Sequence, residues 1–90
     1  MTSASTIEDL RQHELVILRR LRTGPLTEFE LSSEVSAHSG YTAEQAADLM
    51  GDWLEELKCR GLIWSGKLAN DAGQYILAAA LTRNGRALVG

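Results

Sequence analysis

The segment TAEQAADLMGDWLEELKCRG, residues 42–61, predicts the most clearly defined helix of this chain. Thr42 followed by Gln45 has the spacing of a capping box at its start, and Gly61 is a residue that commonly ends a helix. Spacings of three and one place its apolar residues on a single face: Ala46, Leu49, Met50, Trp53, Leu54 and Leu57. The rest of its surface is acidic up to Leu57, because it contains five carboxylates and neither Lys nor Arg.

A first helix is predicted near the N-terminus. Ser5 and Thr6 precede Glu8 and Asp9 by three residues each, a spacing that can cap a helix start, so we expect the helix to begin there. An apolar stripe supports it: Leu10, Val16, Ile17, Leu18 and Leu21. Gly24, as a left-handed cap, and Pro25 are expected to end the helix. We interpret residues 1–5 as a disordered tail and residues 6–90 as one domain.

A second helix is predicted from Thr27, which forms a capping box with Glu30. Leu31 and Val35 give this helix an apolar contact at a spacing of four, and the helix should stop near residues 39–40. Phe29 falls outside the line of Leu31 and Val35, so its side chain is expected to be exposed.

The periodicity changes after Gly61. LIWSG (62–66) and QYILAAALT (74–82) read as the strands of a β-hairpin, joined by a turn KLANDAG (67–73) in which Asn70, Asp71 and Gly73 tolerate positive φ. Trp64 and Tyr75 fall on these strands and are expected to pack against the helices, although aromatic residues can also anchor an interface. Thr82 can cap a short last helix, residues 83–89, which Gly85 would weaken by about 1 kcal/mol relative to Ala.

Composition narrows the class of protein. Ninety residues with 44% hydrophobic and 23% charged residues are typical of one small globular domain with a single core. Neither a signal peptide nor a membrane segment is recognisable, so we expect a cytoplasmic protein that does not contact membranes.

Cys59, the single cysteine, excludes an internal disulfide and is expected to be at least half-buried. His13, His38 and Cys59 lack the spacing of a metal site, and no catalytic motif occurs, so we expect no enzyme and no cofactor.

Three segments resemble bacterial winged helix-turn-helix regulators of the MarR and PadR types: ILRRLRTGPLTEFEL (17–31), LEELKCRGLI (54–63) and ALTRNGRAL (80–88). They match the first helix with the start of the second, the end of the third helix, and the passage from wing to tail, and together cover well under half of the chain. The resemblance implies an α+β winged helix, in which a three-helix bundle precedes a β-hairpin wing and a short C-terminal helical segment. It also implies binding to double-stranded DNA, with the third helix in the major groove and the wing on the adjacent backbone or minor groove.

The sequence departs from this pattern in three ways. SAHSGYTAEQ (36–45) lengthens the region between Val35 and Met50 by about two helical turns, so either both helices or the turn between them must be longer. Regulators of this kind extend the segment after GRAL into a long pairing helix, whereas this sequence stops at Gly90. The exposed face of the third helix also offers few groups suited to bases or phosphates: Gln45, Ala47, Asp48, Gly51, Asp52 and Glu55.

Charge is divided unevenly along the chain. Residues 1–57 contain eleven acidic residues against four arginines, a net charge of −7, while residues 58–90 contain five basic residues against one acidic, a net charge of +4. We therefore expect DNA phosphates to be contacted mainly by Lys67, Arg83 and Arg86, and Gln45 to reach a base. The first helix supplies a second candidate basic patch: Arg19, Arg20 and Arg22.

Two readings of the acidic third helix remain open. Its carboxylates can form a solvated face, or they can bind a protein partner or a second copy of this chain. The second reading predicts an interaction module in place of, or beside, a DNA-binding one. Its candidate contact residues are Phe29, Glu44, Asp48, Asp52 and Glu55.

Overall fold

The computed structural model describes residues 10–69 and 71–89, which form helices and a three-stranded antiparallel sheet of order β1-β3-β2. The elements are α1 (Gln12–Arg20), a 3-10 turn (Leu21–Thr23), β1 (Leu26–Thr27), α2 (Glu28–His38), α3 (Ala43–Cys59), β2 (Ile63–Ala69), β3 (Tyr75–Leu81) and α4 (Arg83–Val89). This is the predicted α+β winged helix, with β2 and β3 as the wing. The predicted tail, residues 1–5, lies outside the described residues. None of the described helices combines the length and apolarity needed to cross a membrane.

The start of α1 was predicted too early. Leu10 and Arg11 are not helical, and the helix begins at Gln12, where the carboxylate of Glu14 accepts a hydrogen bond of 2.8 Å from the Arg11 N–H. The predicted caps at residues 5–9 lie outside the described residues. Gly24 has φ 137° and ψ 177°, so it does not adopt the predicted left-handed helical conformation, and the 3-10 turn ends the helix instead. The central apolar stripe is fully buried as predicted: Ile17, Leu18 and Leu21.

The extra length between Val35 and Met50 lies in the helices, because only residues 39–42 separate α2 from α3. Both predicted capping boxes are present. The Thr27 hydroxyl accepts from the Glu30 N–H, and the Thr42 hydroxyl accepts from the Gln45 N–H. In return, the Gln45 side-chain oxygen accepts from the Thr42 N–H at 3.0 Å. The turn is therefore tight, and α3 is long at 17 residues.

A left-handed glycine ends α3, as predicted. Gly61 has φ 75°, its N–H donates to the Lys58 carbonyl at 2.9 Å, and the Leu62 N–H donates to the Leu57 carbonyl at 3.0 Å. This pair of bonds is a Schellman motif, and it directs the chain from α3 into β2.

Leu49, predicted on the apolar face of α3, is instead 38% exposed, because it lies at the edge of the stripe that enters the core. The other members confirm the stripe: Ala46, Met50, Leu54 and Leu57 are fully buried and Trp53 is half-buried.

The first strand of the wing is longer than predicted, and the second, Tyr75–Leu81, is one residue shorter at each end. Lys67, Leu68 and Ala69, expected in the turn, continue β2, since the ladder extends from Ile63 opposite Leu81 to Ala69 opposite Tyr75. Gly73 has φ 80° as expected, but Asp71 does not have a positive φ, and Asn70 lies outside the described residues. One face of the sheet closes the core against the helices through Ile63, Ala79 and Leu81.

The start of α4 is anchored to the end of α3. The Thr82 hydroxyl accepts from the Gly85 N–H at 3.1 Å, which confirms the predicted cap, and donates to the Gly61 carbonyl at 2.6 Å. Gly85 is buried, and a Cβ added there would overlap the Leu62 carbonyl oxygen. Packing therefore requires glycine at this position, which its low helix propensity alone did not reveal.

Candidate nucleic-acid interface

The acidic face of α3 is exposed along its whole length. Glu44, Asp48 and Asp52 recur every four residues on the helix surface, and Glu55 continues the row. Within the described part of the chain, no Lys or Arg forms an ion pair with these four carboxylates, which we name the acidic row. At 1.5 Å per residue, residues 44–55 extend over about 16 Å of helix. A duplex placed along this face would therefore meet repulsion over several phosphates.

Gln45 lies in the first turn of α3 and is exposed. In helix-turn-helix proteins the N-terminal residues of the recognition helix contact base edges, and Gln45 lies at the corresponding position of α3. Its Oε1 is already used by the Thr42 N–H, which leaves the side-chain NH2 as the group that can donate to a base acceptor.

Lys67 is exposed on β2, opposite Leu77. The wing is tied to the helices beside this position, because the Leu77 N–H donates to the Glu28 carboxylate at 2.8 Å. The bond gives the Leu77 N–H an acceptor at a position of β3 that the two-residue strand β1 does not reach. The ammonium group is therefore carried by β2, whose partner strand β3 is fixed to the start of α2.

The three arginines of the predicted second patch are separated into two groups. Arg19 and Arg20 line a cavity of about 420 Å³ between α1 and α2, where Arg20 forms an ion pair with Glu34 at 3.4 Å. Arg20 also donates to the Thr23 hydroxyl at 2.8 Å. Arg22, by contrast, lies with the basic residues of α4.

Arg22, Arg83 and Arg86 line one open cavity of about 600 Å³, which we name the arginine cleft. Of the residues that the structure describes, Ala87 also lines it and no carboxylate does. Among the described residues, none of the three guanidinium groups has an ion pair. The fold thus concentrates three positive charges from separate segments in a chain whose net charge is −3.

A second groove of about 570 Å³ adjoins the cleft through Arg83, which lines both. We name it the tryptophan groove; besides Arg83, it is lined by Lys58, Gly61, Ile63, Trp64, Thr82 and Asn84. Both cavities lie at the end of the wing that joins α3 and α4. Gln45 lies near the other end of α3, roughly 20 Å away along the helix at 1.5 Å per residue.

Three predictions about individual side chains were wrong. Trp64 is 68% exposed, because it pairs with Ala80 on the sheet face that points away from the helices. Tyr75 is exposed because it lies at the turn end of the wing, beyond the part of the sheet that covers the core. Cys59 is exposed in the last turn of α3, where its thiol approaches the Glu55 carboxylate at 3.6 Å. The exposure of Phe29, at 61%, is confirmed.

An aromatic cluster was missed from the sequence. His13 is only 6% exposed, its ring stacks on Trp53 with centroids 4.3 Å apart, and Tyr41 meets both rings edge-on. Burial lowers the pKa of His13, an effect that Glu14 opposes and Arg11 reinforces. The signal was present, because His13 precedes Ile17 by one helical turn and so belongs to the buried stripe of α1.

Comparison with protein-family models finds no match to this chain. Comparison with curated protein sequences also finds no match. Two solved structures share the fold. TA0346 from Thermoplasma acidophilum, a candidate transcriptional regulator, aligns with a TM-score of 0.69 and 23% identity over 86% of this chain and 72% of its own. A double mutant of ZitR from Lactococcus lactis aligns with a TM-score of 0.63 and 19% identity over 89% of this chain. This chain spans about half of ZitR, 48% of its length. The likeness establishes the winged-helix fold.

Proposed function

We propose that the protein is a small DNA-binding transcriptional regulator that contacts phosphates mainly through its wing and C-terminal basic residues. The winged-helix architecture carries this proposal, and the description of TA0346 as a candidate regulator supports it. A relation to the MarR or PadR type in particular, and a cytoplasmic location, remain predictions from the sequence.

In this function the first turn of α3 enters the major groove and the Gln45 amide donates to a base acceptor. Lys67 on the wing contacts the neighbouring backbone, and Arg83 and Arg86 supply further phosphate contacts. Arg19, Arg20 and Arg22 would extend the backbone contacts, with Arg20 reduced in this role by its ion pair with Glu34. The acidic row opposes close approach of α3, so the basic residues must supply most of the affinity.

The test is fluorescence anisotropy of a labelled mixed-sequence duplex at low salt, repeated over a salt series. We expect binding with a steep negative salt dependence, and each of Lys67→Ala, Arg83→Ala and Arg86→Ala should weaken it and reduce the slope by about one. Arg11→Ala removes an exposed charge outside the proposed contacts and serves as the control. Absence of binding at low salt would refute the function, and unchanged binding in all three variants would refute the contacts.

A second candidate function is a winged-helix module for self-association or for a protein partner. The exposed, uncompensated acidic row favours it, as does the exposed Phe29. For the self-associating form, size-exclusion chromatography with light scattering should give a mass above that of one chain. Combined Asp48→Lys and Asp52→Lys substitutions should return it to the monomer value. A monomer at every concentration would refute self-association.

A further inference from the structure

We propose that the arginine cleft and the tryptophan groove together bind a nucleotide, with phosphate between the guanidinium groups and the base against Trp64. The two cavities share Arg83 and are therefore adjacent, with three arginines lining one and the indole of Trp64 lining the other. Direct nucleotide binding does not depend on the proposed DNA-binding function.

The phosphate half of the site rests on the chemistry of arginine. A guanidinium is planar and always charged, and its N–H groups match two oxygens of a phosphate at once. Arg22 comes from the 3-10 turn and Arg83 and Arg86 from α4, so the cleft presents these groups from two sides. No carboxylate of the described residues lines the cleft, so an incoming phosphate does not have to displace any of their acidic side chains.

The base half rests on the exposure of Trp64. Its indole lines the tryptophan groove beside Lys58 and Arg83 while most of its surface remains open to solvent. Stacking on an aromatic side chain binds any base, because every base has a π-face. Trp64 pairs with Ala80, three positions before Arg83, and Trp64 and Arg83 both line the tryptophan groove. A base on the indole would therefore lie beside the arginine that also lines the cleft.

The site is also held in place before a ligand arrives. Thr82 joins α4 to Gly61 through its hydroxyl and to the Leu62 carbonyl through its N–H at 3.1 Å. Gly85 packs directly against that same carbonyl. These contacts fix the arginines of α4 relative to the start of β2, which carries Trp64, so binding does not have to order the backbone.

Nucleotide binding also gives the proposed function a means of regulation. If Arg83 and Arg86 hold backbone phosphates of DNA, a nucleotide occupying the cleft competes with the duplex for the same guanidinium groups. This competition rests on the proposed function, whereas direct binding of the nucleotide does not.

Isothermal titration calorimetry of the full chain at low salt, without DNA, tests the site with three probes: ADP, inorganic pyrophosphate and adenosine. We expect one ADP per chain, bound more tightly than either pyrophosphate or adenosine. Trp64→Ala should weaken ADP by about fivefold or more and leave pyrophosphate unchanged. Arg86→Ala should weaken both by about tenfold, in line with the loss of charge-assisted hydrogen bonds. These side chains are exposed, so the variants should fold.

Arg19→Ala is the matched control, because it removes an exposed arginine that lines the cavity between α1 and α2 and does not line the cleft. The proposal is overturned if ADP does not bind at millimolar concentration, or if Arg19→Ala weakens ADP as much as Arg86→Ala. A single-stranded oligonucleotide in place of ADP tests whether the site takes a free nucleotide or a nucleotide within a strand. Oligonucleotide binding that Trp64→Ala weakens supports the site. If the oligonucleotide binds more tightly than ADP, the ligand is a strand. Duplex binding without ADP binding refutes the nucleotide site alone, and the reverse result refutes the DNA-binding function alone.

Discussion

The two ends of α3 differ in charge and in what surrounds them. The N-terminal end carries Glu44 and Asp48 and faces open solvent, while the C-terminal end places Lys58 beside Arg83 in the tryptophan groove. Part of this difference stabilises the helix, because an acidic first turn and a basic last turn complement the helix dipole. Asp52 and Glu55 are not explained in this way, since they lie past the middle of the helix.

The difference between the two ends shows that the position of a helix in a fold does not determine the chemistry of its exposed side chains. The fold gives α3 the place of a recognition helix, but its exposed side chains suit neither phosphates nor most base edges. The positive charge lies instead at the base of the wing, where segments distant in sequence meet. We therefore expect a function of this domain that involves phosphate to use mainly that end and the wing.

The largest expected effect comes from breaking the contact that builds the basic end. Gly85→Ala would place a Cβ against the Leu62 carbonyl and 3.0 Å from the Leu81 Cδ2 atom, and backbone cannot yield as a side chain can. We expect a loss of about 3 kcal/mol in the free energy of unfolding, measured by urea denaturation followed by circular dichroism.

Gly51→Ala is the matched control at the acidic helix. Gly51 lies within α3, is exposed and has open space around an added Cβ, so the substitution should stabilise by up to about 1 kcal/mol. If Gly85→Ala lowers the free energy of unfolding and Gly51→Ala raises it, the difference in packing between the two ends of α3 is supported. Equal effects would show that helix propensity, and not the contact with Leu62, decides both.

A smaller effect is expected from neutralising the acidic row. Combined Asp48→Asn and Asp52→Asn substitutions should tighten duplex binding severalfold at low salt, because like charges about 4 Å apart cost roughly 1 kcal/mol in water. The gain should vanish at high salt, where screening removes the repulsion. Anisotropy titrations at both salt concentrations measure this, and an unchanged affinity at low salt would mean that DNA does not approach α3.

The sequence predicted those features of the fold that depend on neighbouring residues. The boxes at Thr27 and Thr42, the Thr82 cap and the Gly61 terminus each involve groups within about five positions, so local pattern was sufficient. Trp64 was misplaced because Ile63 and Trp64 are both apolar, and only the register against β3 decides which one faces the core.

The candidate site was less predictable for a physical reason. Each arginine of the cleft was recognised as a phosphate candidate, but the separation of Arg22 from Arg19 and Arg20 depends on how the 3-10 turn packs beside α4. That arrangement is set by tertiary contacts between distant segments. Gly85 shows the same limitation, since its helix propensity was readable but its contact with Leu62 was not.

The smallest effect concerns the aromatic cluster, which holds α1 to the acidic helix through His13 and Trp53. Because burial lowers the pKa of His13 below its ordinary 6.5, the folded state disfavours the charged imidazole. Stability from this group is complete above pH 6.5 and falls as the pH drops from there toward the folded-state pKa, since the unfolded chain binds the proton more readily.

Urea midpoints measured between pH 7.5 and about 5 should show this loss of stability. His13→Gln should remove that part of the pH dependence, whereas His38→Gln, at an exposed histidine, should retain it. If the stability of His13→Gln depends on pH as that of the unsubstituted protein does, the carboxylates cause the dependence. The aromatic cluster would then join the two helices by packing alone.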